Sequence, residues 1–194
     1  MRFLLSVILL SLPLTLSSAK TDKLRRYGNK EAYKVYAALL PGNWSYGKPA
    51  PGTMVILQET TDRRSDGCFP DLRGDWVPVL ENYKRDNRAS RVLSHSIRTE
   101  MPYVFVPSTE IEDMFSSHTS PAEGWNKFYK RYPDSHGLVE FSAVGFNSQK
   151  TKALIYVVRQ CGGLCGTGGY EFLVKRNGEW VKADIRAHNC GWIS

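Results

Sequence analysis

The dipeptide Asn177-Gly178 separates two runs of alternating polarity, residues 170–176 and 179–186. A two-residue hairpin turn needs positive φ at both central positions, which Asn and Gly tolerate, so a tight β-hairpin is predicted here. The short loop also sets the register: Arg176 faces Glu179, Val174 faces Val181, Phe172 faces Ala183 and Tyr170 faces Ile185. Those apolar pairs share one face, while Lys175, Lys182, Asp184 and Arg186 fall on the other with Leu173 and Trp180. Upstream, residues 138–146 and 152–159 read as two further strands joined by a turn over 147–150. The last third of the chain is therefore an antiparallel meander.

The first two thirds supply helices and shorter strands. Asn29 is a good N-cap for a helix over 30–40 that Pro41-Gly42 ends; Ala32, Val35, Tyr36 and Leu39 form its buried stripe. A second helix over 77–85 turns Val77, Leu80 and Tyr83 inward. Residues 53–59 suit a strand, and 102–106 an edge strand, because Pro102 cannot donate to a ladder. Thr109 and Glu112 have capping-box spacing, with Ile111, Met114 and Phe115 apolar behind them. Ser120-Pro121-Ala122-Glu123 is the stronger start, and its helix carries Trp125, Phe128, Tyr129 and Tyr132 on one stripe before Pro133. A stripe at that spacing is expected to be core rather than a stacking platform. The expected fold is α+β: an antiparallel sheet of four to five strands with helices packed on one face.

The chain has 194 residues. Met1-Arg2, the apolar run 3–16 and Ser17-Ser18-Ala19 have the order of a secretory signal, with cleavage expected after Ala19. Residues 20–194 are then one domain, secreted or periplasmic, without a membrane span in the mature part. In that compartment an even cysteine count reads as disulfides. The four are Cys68, Cys161, Cys165 and Cys190, and the favoured pairing is Cys161 with Cys165 and Cys68 with Cys190. A rival pairing follows from the hairpin register: extended outward, it sets residue 165 opposite residue 190, leaving Cys68 for Cys161.

Charge constrains partners more weakly. The formal net charge is +7, from 26 Lys+Arg against 19 Asp+Glu. Losing Arg2 with the signal leaves +6. The excess is scattered in short clusters such as Lys23-Leu24-Arg25-Arg26, Arg63-Arg64 and Lys130-Arg131. It suits an anionic surface or polymer; nucleic acid is not an expected partner of an exported chain.

The segment Cys161-Gly-Gly-Leu-Cys165-Gly-Thr-Gly-Gly-Tyr170 invites four chemistries. A phosphate cradle needs a helix after the glycines, and a strand follows instead. A redox pair at Cys161 and Cys165 needs something to lower a thiol pKa, and only Arg159 is near in sequence. A zinc site could use Cys161, Cys165, His188 and Cys190, since the first two have ligand spacing. The leading expectation is structural: glycines providing positive φ for a turn that Cys161–Cys165 locks. The histidines His95, His118, His136 and His188 are dispersed, and Asp71, Asp75 and Glu81 read as solvated carboxylates. No catalytic residue and no cofactor is assigned. Asn43-Trp44-Ser45 has the form of a glycosylation sequon.

Four stretches, VYAALL, VPVLENYKRDN, GWNKFYKRYPDSHGLVEFSAVGFN and KALIYVVRQCGGLCGTGGYEFLVKRNGEW, resemble an uncharacterised group of exported bacterial proteins. The resemblance implies that the CGGLCG loop and the VGFN turn belong to that group's pattern and that the source is bacterial; it implies no activity. The functional expectation is a non-catalytic exported binding or structural module stabilised by disulfides. The alternative is an extracytoplasmic enzyme, a thiol redox protein using Cys161 and Cys165 or a hydrolase of unrecognised site.

Overall fold

The structure is a computed structural model. It describes residues 24–40, 52–61, 68–185, 187 and 190–194. The expected signal segment, the sequon at Asn43, the Arg63-Arg64 pair and His188 lie outside the described residues.

Among the described residues, eight strands form one mixed sheet and four helices pack on it. The strands are β1 (Thr53–Leu57), β2 (Tyr103–Val106), β3 (Ser135–Phe141), β4 (Gly145–Phe146), β5 (Lys152–Gly162), β6 (Cys165–Arg176), β7 (Glu179–Lys182) and β8 (Trp192–Ile193). The helices are α1 (Lys30–Leu39), α2 (Val77–Asp86), α3 (Ser108–Met114) and α4 (Pro121–Arg131). Strand order is β2-β1-β3-β5-β6-β7, with β4 also on β5 and β8 also on β6. The α+β class holds, but the sheet exceeds four to five strands. It is also partly parallel, because β1 runs parallel to both β2 and β3. Those pairings join segments tens of residues apart, so no turn signal announces them. Among the described residues no helix is long and apolar enough to cross a membrane.

The helices cover both faces, not one. Along β5, Ala153, Ile155 and Val157 join the core under α1, whereas Leu154, Tyr156 and Val158 join the core under α2. On β1, Met54 and Ile56 point to the α1 side, and Val55 and Leu57 to the α3–α4 side. Every strand of the centre is thus apolar on two faces. The continuous apolar run of β5 already carries that information, since a strand with one wet face would alternate.

The hairpin at Asn177-Gly178 forms as its turn chemistry requires. Both residues have positive φ, 51° and 86°, and Arg176 faces Glu179 while Val174 faces Val181. The N-caps of α1 and α4 also match: Asn29 Oδ1 accepts from Glu31 N at 3.2 Å, and Ser120 and Glu123 complete a capping box. The Thr109–Glu112 box does not form, because α3 starts at Ser108 behind Pro107. In α2 the buried residues are Val79, Leu80 and Tyr83, with Val77 at 43 % exposure on the outer side.

The strand expected over 138–146 breaks at Ser142–Val144, between β3 and β4. Ser142 N still donates to Tyr156 O of β5 at 3.0 Å, and the remaining backbone groups are met individually. Asn87 bonds both the N–H and the carbonyl of Ala143. Tyr36 donates to Ser142 O at 3.0 Å, and Tyr27 accepts from Val144 N at 2.9 Å. Burial pushes the Tyr27 hydroxyl up to about 12, so it stays protonated at physiological pH.

Candidate functional site

The end of the β5–β6 hairpin is held from several sides. Gly162 faces Cys165 across a turn at Gly163-Leu164, with a register irregularity between Gln160 and Gly162. Cys161 and Cys165 pair as a disulfide, Cα atoms 5.1 Å apart. Tyr129 of α4 donates to Cys161 O at 2.9 Å. On the other side β3 passes very close: Gly137, at φ +110°, leaves no room for a Cβ beside Cys161 Cα (3.1 Å). Leu164, at the turn, is 92 % exposed.

The second disulfide, Cys68–Cys190, has Cα atoms 5.7 Å apart. It ties the segment before α2 to the C-terminal strand. The rival pairing of Cys165 with Cys190 does not form, because the chain leaves the hairpin register after β7. That register would set residue 187 opposite Gly168; β8 brings Trp192 there instead, five residues later.

This slip explains the glycines. None of Gly162, Gly163, Gly166, Gly168 and Gly169 has positive φ, so turn freedom is not their purpose. A Cβ at Gly168 would meet the Trp192 indole, with Cε2 at 2.6 Å, and one at Gly166 would meet Cζ3 of the same ring at 2.9 Å. Residues i and i+2 lie about 6.6 Å apart on one face of a strand. The indole therefore lies lengthwise over a strip of β6 that carries no side chains.

Between Trp192, the hairpin end and the start of α4 lies an open groove of about 350 Å³. Phe115, Trp125 and Trp192 give it aromatic walls; Thr119, Gln160 and Ser194 give it polar groups; Pro121, Gly162 and Gly163 complete it. The lining contains no ionisable side chain. Phe115 and Trp125 meet edge to face at 5.2 Å, and Gly124 lets the Phe115 ring lie against α4 (Cε1 2.6 Å from where a Cβ would stand). The indole N–H groups of Trp125 and Trp192 and the Gln160 side-chain amide have no hydrogen-bond partner among the described residues.

The remaining sequence candidates do not converge. Cys161 and Cys165 bond to each other, Cys190 bonds to Cys68, and His188 is not described, so the zinc set is not assembled; no group of three metal-ligating side chains occurs among the described residues. His95 lies against Phe105 and Tyr103, His118 precedes α4, and His136 is in β3. The three carboxylates have separate cations: Asp71 meets Arg73, Asp75 meets Lys152, and Glu81 meets Lys84. Trp125 and Phe128 are buried against Val55, Leu57 and Leu138, with Tyr129 and Tyr132 half-buried beside them. The aromatic stripe is core, although Trp125 also shows an edge to the groove.

Gln160 and Trp192 were not singled out from the sequence. The available signal was Gly-x-Gly at 166 and 168 within a strand, a flat strip that something must cover. Comparison with family models, with curated proteins and with solved structures found no match of any of the three kinds.

Proposed function

We propose that this chain is an exported, disulfide-stabilised binding module whose contact surface is the groove at the closed end of the β5–β6 hairpin. One observation carries the reading. Aromatic walls and unpaired hydrogen-bonding groups meet in an open concavity whose frame is held by a disulfide, by Tyr129 and by the Trp192–glycine contact. Such a mixture of apolar lining and a few placed polar groups is what a preformed ligand site needs. Export is supported by the order of residues 1–19 and by two cysteine pairs at disulfide distance. Membership of the exported bacterial group resembled by the CGGLCG segment fits the same reading. The scattered basic excess would add general attraction to an anionic surface or polymer outside the groove.

The test is co-sedimentation of the mature chain with insoluble cell-wall material and with anionic vesicles. The wild type is retained on one of them, and Trp192→Ala is released at unchanged ionic strength. Retention that ignores Trp192 and vanishes with salt would replace the groove by bulk charge.

The thiol redox reading keeps one observation in its favour, the half-buried position of the Cys161–Cys165 bond beside the exposed Leu164. It requires a reduction potential of about −120 to −270 mV, the range of thiol–disulfide oxidoreductases, whereas a structural bond falls below about −300 mV. A redox titration of the mature chain decides between them.

A further inference from the structure

We infer that the groove takes a neutral saccharide, one or two sugar rings of a larger glycan, stacked on Trp192. This rests on the binding-module reading above and names its ligand class. The charge of the lining comes first. A protein of formal charge +7 lines this concavity with side chains none of which ionises. An anionic ligand would find no cationic side chain there, and a cationic one no side-chain carboxylate.

The second observation is the supply of hydrogen bonds. Trp125 is 8 % exposed, yet its indole N–H has no partner among the described residues. That N–H is not among the fully buried unpartnered side-chain atoms, so it reaches solvent and can exchange a water for a ligand oxygen. Gln160 adds one acceptor and two donors in the same lining. Directional donors and acceptors without charge match hydroxyl groups, which serve as both.

The third is the platform. The Trp192 indole has Gly166 and Gly168 behind it, so that side of the ring rests on the β6 backbone. The half-buried ring presents a flat apolar surface at the groove. The C–H face of a pyranose is flat and apolar while its rim is hydroxylated. An aromatic face beside unpaired N–H groups is complementary to that division. An extended peptide would instead look for an open strand edge to add its main-chain bonds; here β8 occupies the β6 edge beside the groove.

The experiment is titration of the mature chain with three neutral tetrasaccharides, cellotetraose, chitotetraose and maltotetraose, followed by tryptophan fluorescence and calorimetry. At least one is expected to bind with Kd of about 1 mM or tighter. Trp192→Ala and Gln160→Ala should each weaken it by about tenfold or more. Trp192→Phe, which retains an aromatic ring over the glycines, should recover part of the loss, and the thermal midpoint of Gln160→Ala should match the wild type. Absence of binding by all three sugars overturns the saccharide assignment. If dextran sulfate or a peptide library then binds in a Trp192-dependent way, the groove is a binding site of another class and the module reading stands alone. If those fail as well, both readings fall.

Discussion

The two disulfides differ in the loops they close, and this difference gives a quantitative prediction. Cys68–Cys190 spans 122 residues and Cys161–Cys165 spans 4. Cross-linking restricts the unfolded chain by an entropy that grows with the logarithm of loop length. At 298 K the relation gives about 4.9 kcal/mol for the long loop and about 1.9 kcal/mol for the short one. The double replacements Cys68→Ala/Cys190→Ala and Cys161→Ala/Cys165→Ala should show this ratio in equilibrium urea unfolding. With a slope of about 2 kcal/mol per molar urea, the midpoints fall by about 2.5 M and about 1 M. The long-loop variant should therefore lie near the edge of folding, since domains of this size hold only about 5–15 kcal/mol in total. Groove function should sort the other way. The short-loop variant stays folded with only the smaller midpoint loss of about 1 M, but it loosens the frame, and its ligand affinity falls. Equal losses of stability from the two variants, or a larger loss from the short loop, would refute the assignment of Cys68–Cys190 as the global constraint. Thiol counting in denaturant should find no free thiol before reduction and four after it, given the cysteine content.

Gly168→Ala should cost about 1–3 kcal/mol through overpacking against Trp192 and should red-shift tryptophan emission as the ring is displaced; unchanged emission would disprove the flat-strip account. Tyr129→Phe removes the bond to Cys161 O and should cost about 1 kcal/mol by urea unfolding, while sparing α4 itself as judged by circular dichroism. Glu31 links α1 to the β6–β7 hairpin through Lys175, the Trp180 indole N–H at 2.9 Å and Lys34 at 3.2 Å. Burial opposes its charge, but these partners outweigh burial and lower its carboxyl from 4.5 to about 2. A carboxyl depressed in the folded state stabilises above its unfolded pKa, so Glu31→Gln should lower the urea midpoint at pH 7. That deficit should shrink as pH falls from about 4.5 towards 2, and a constant deficit would show that the ion pairs contribute nothing.

What the sequence by itself determined is local. Asn177-Gly178, Asn29 and Ser120-Pro121-Ala122-Glu123 act within a few residues of themselves, through backbone φ and orphan N–H groups that exist before any tertiary contact. The hairpin, two helix starts and the α+β class followed from them. The two-faced burial of the centre was also legible, in the unbroken apolar run of β5, though one wet face was expected. Other features depend on chain segments that meet only after folding. The parallel pairing of β1 with β2 and β3, the break at Ser142–Val144 and the five-residue slip before β8 each join distant residues through loops that carry no register signal. The slip decided the most. It withdrew Cys190 from Cys165, laid Trp192 over Gly166 and Gly168, and so converted a glycine-rich segment that resembled a turn into the floor of a ring and one side of a groove.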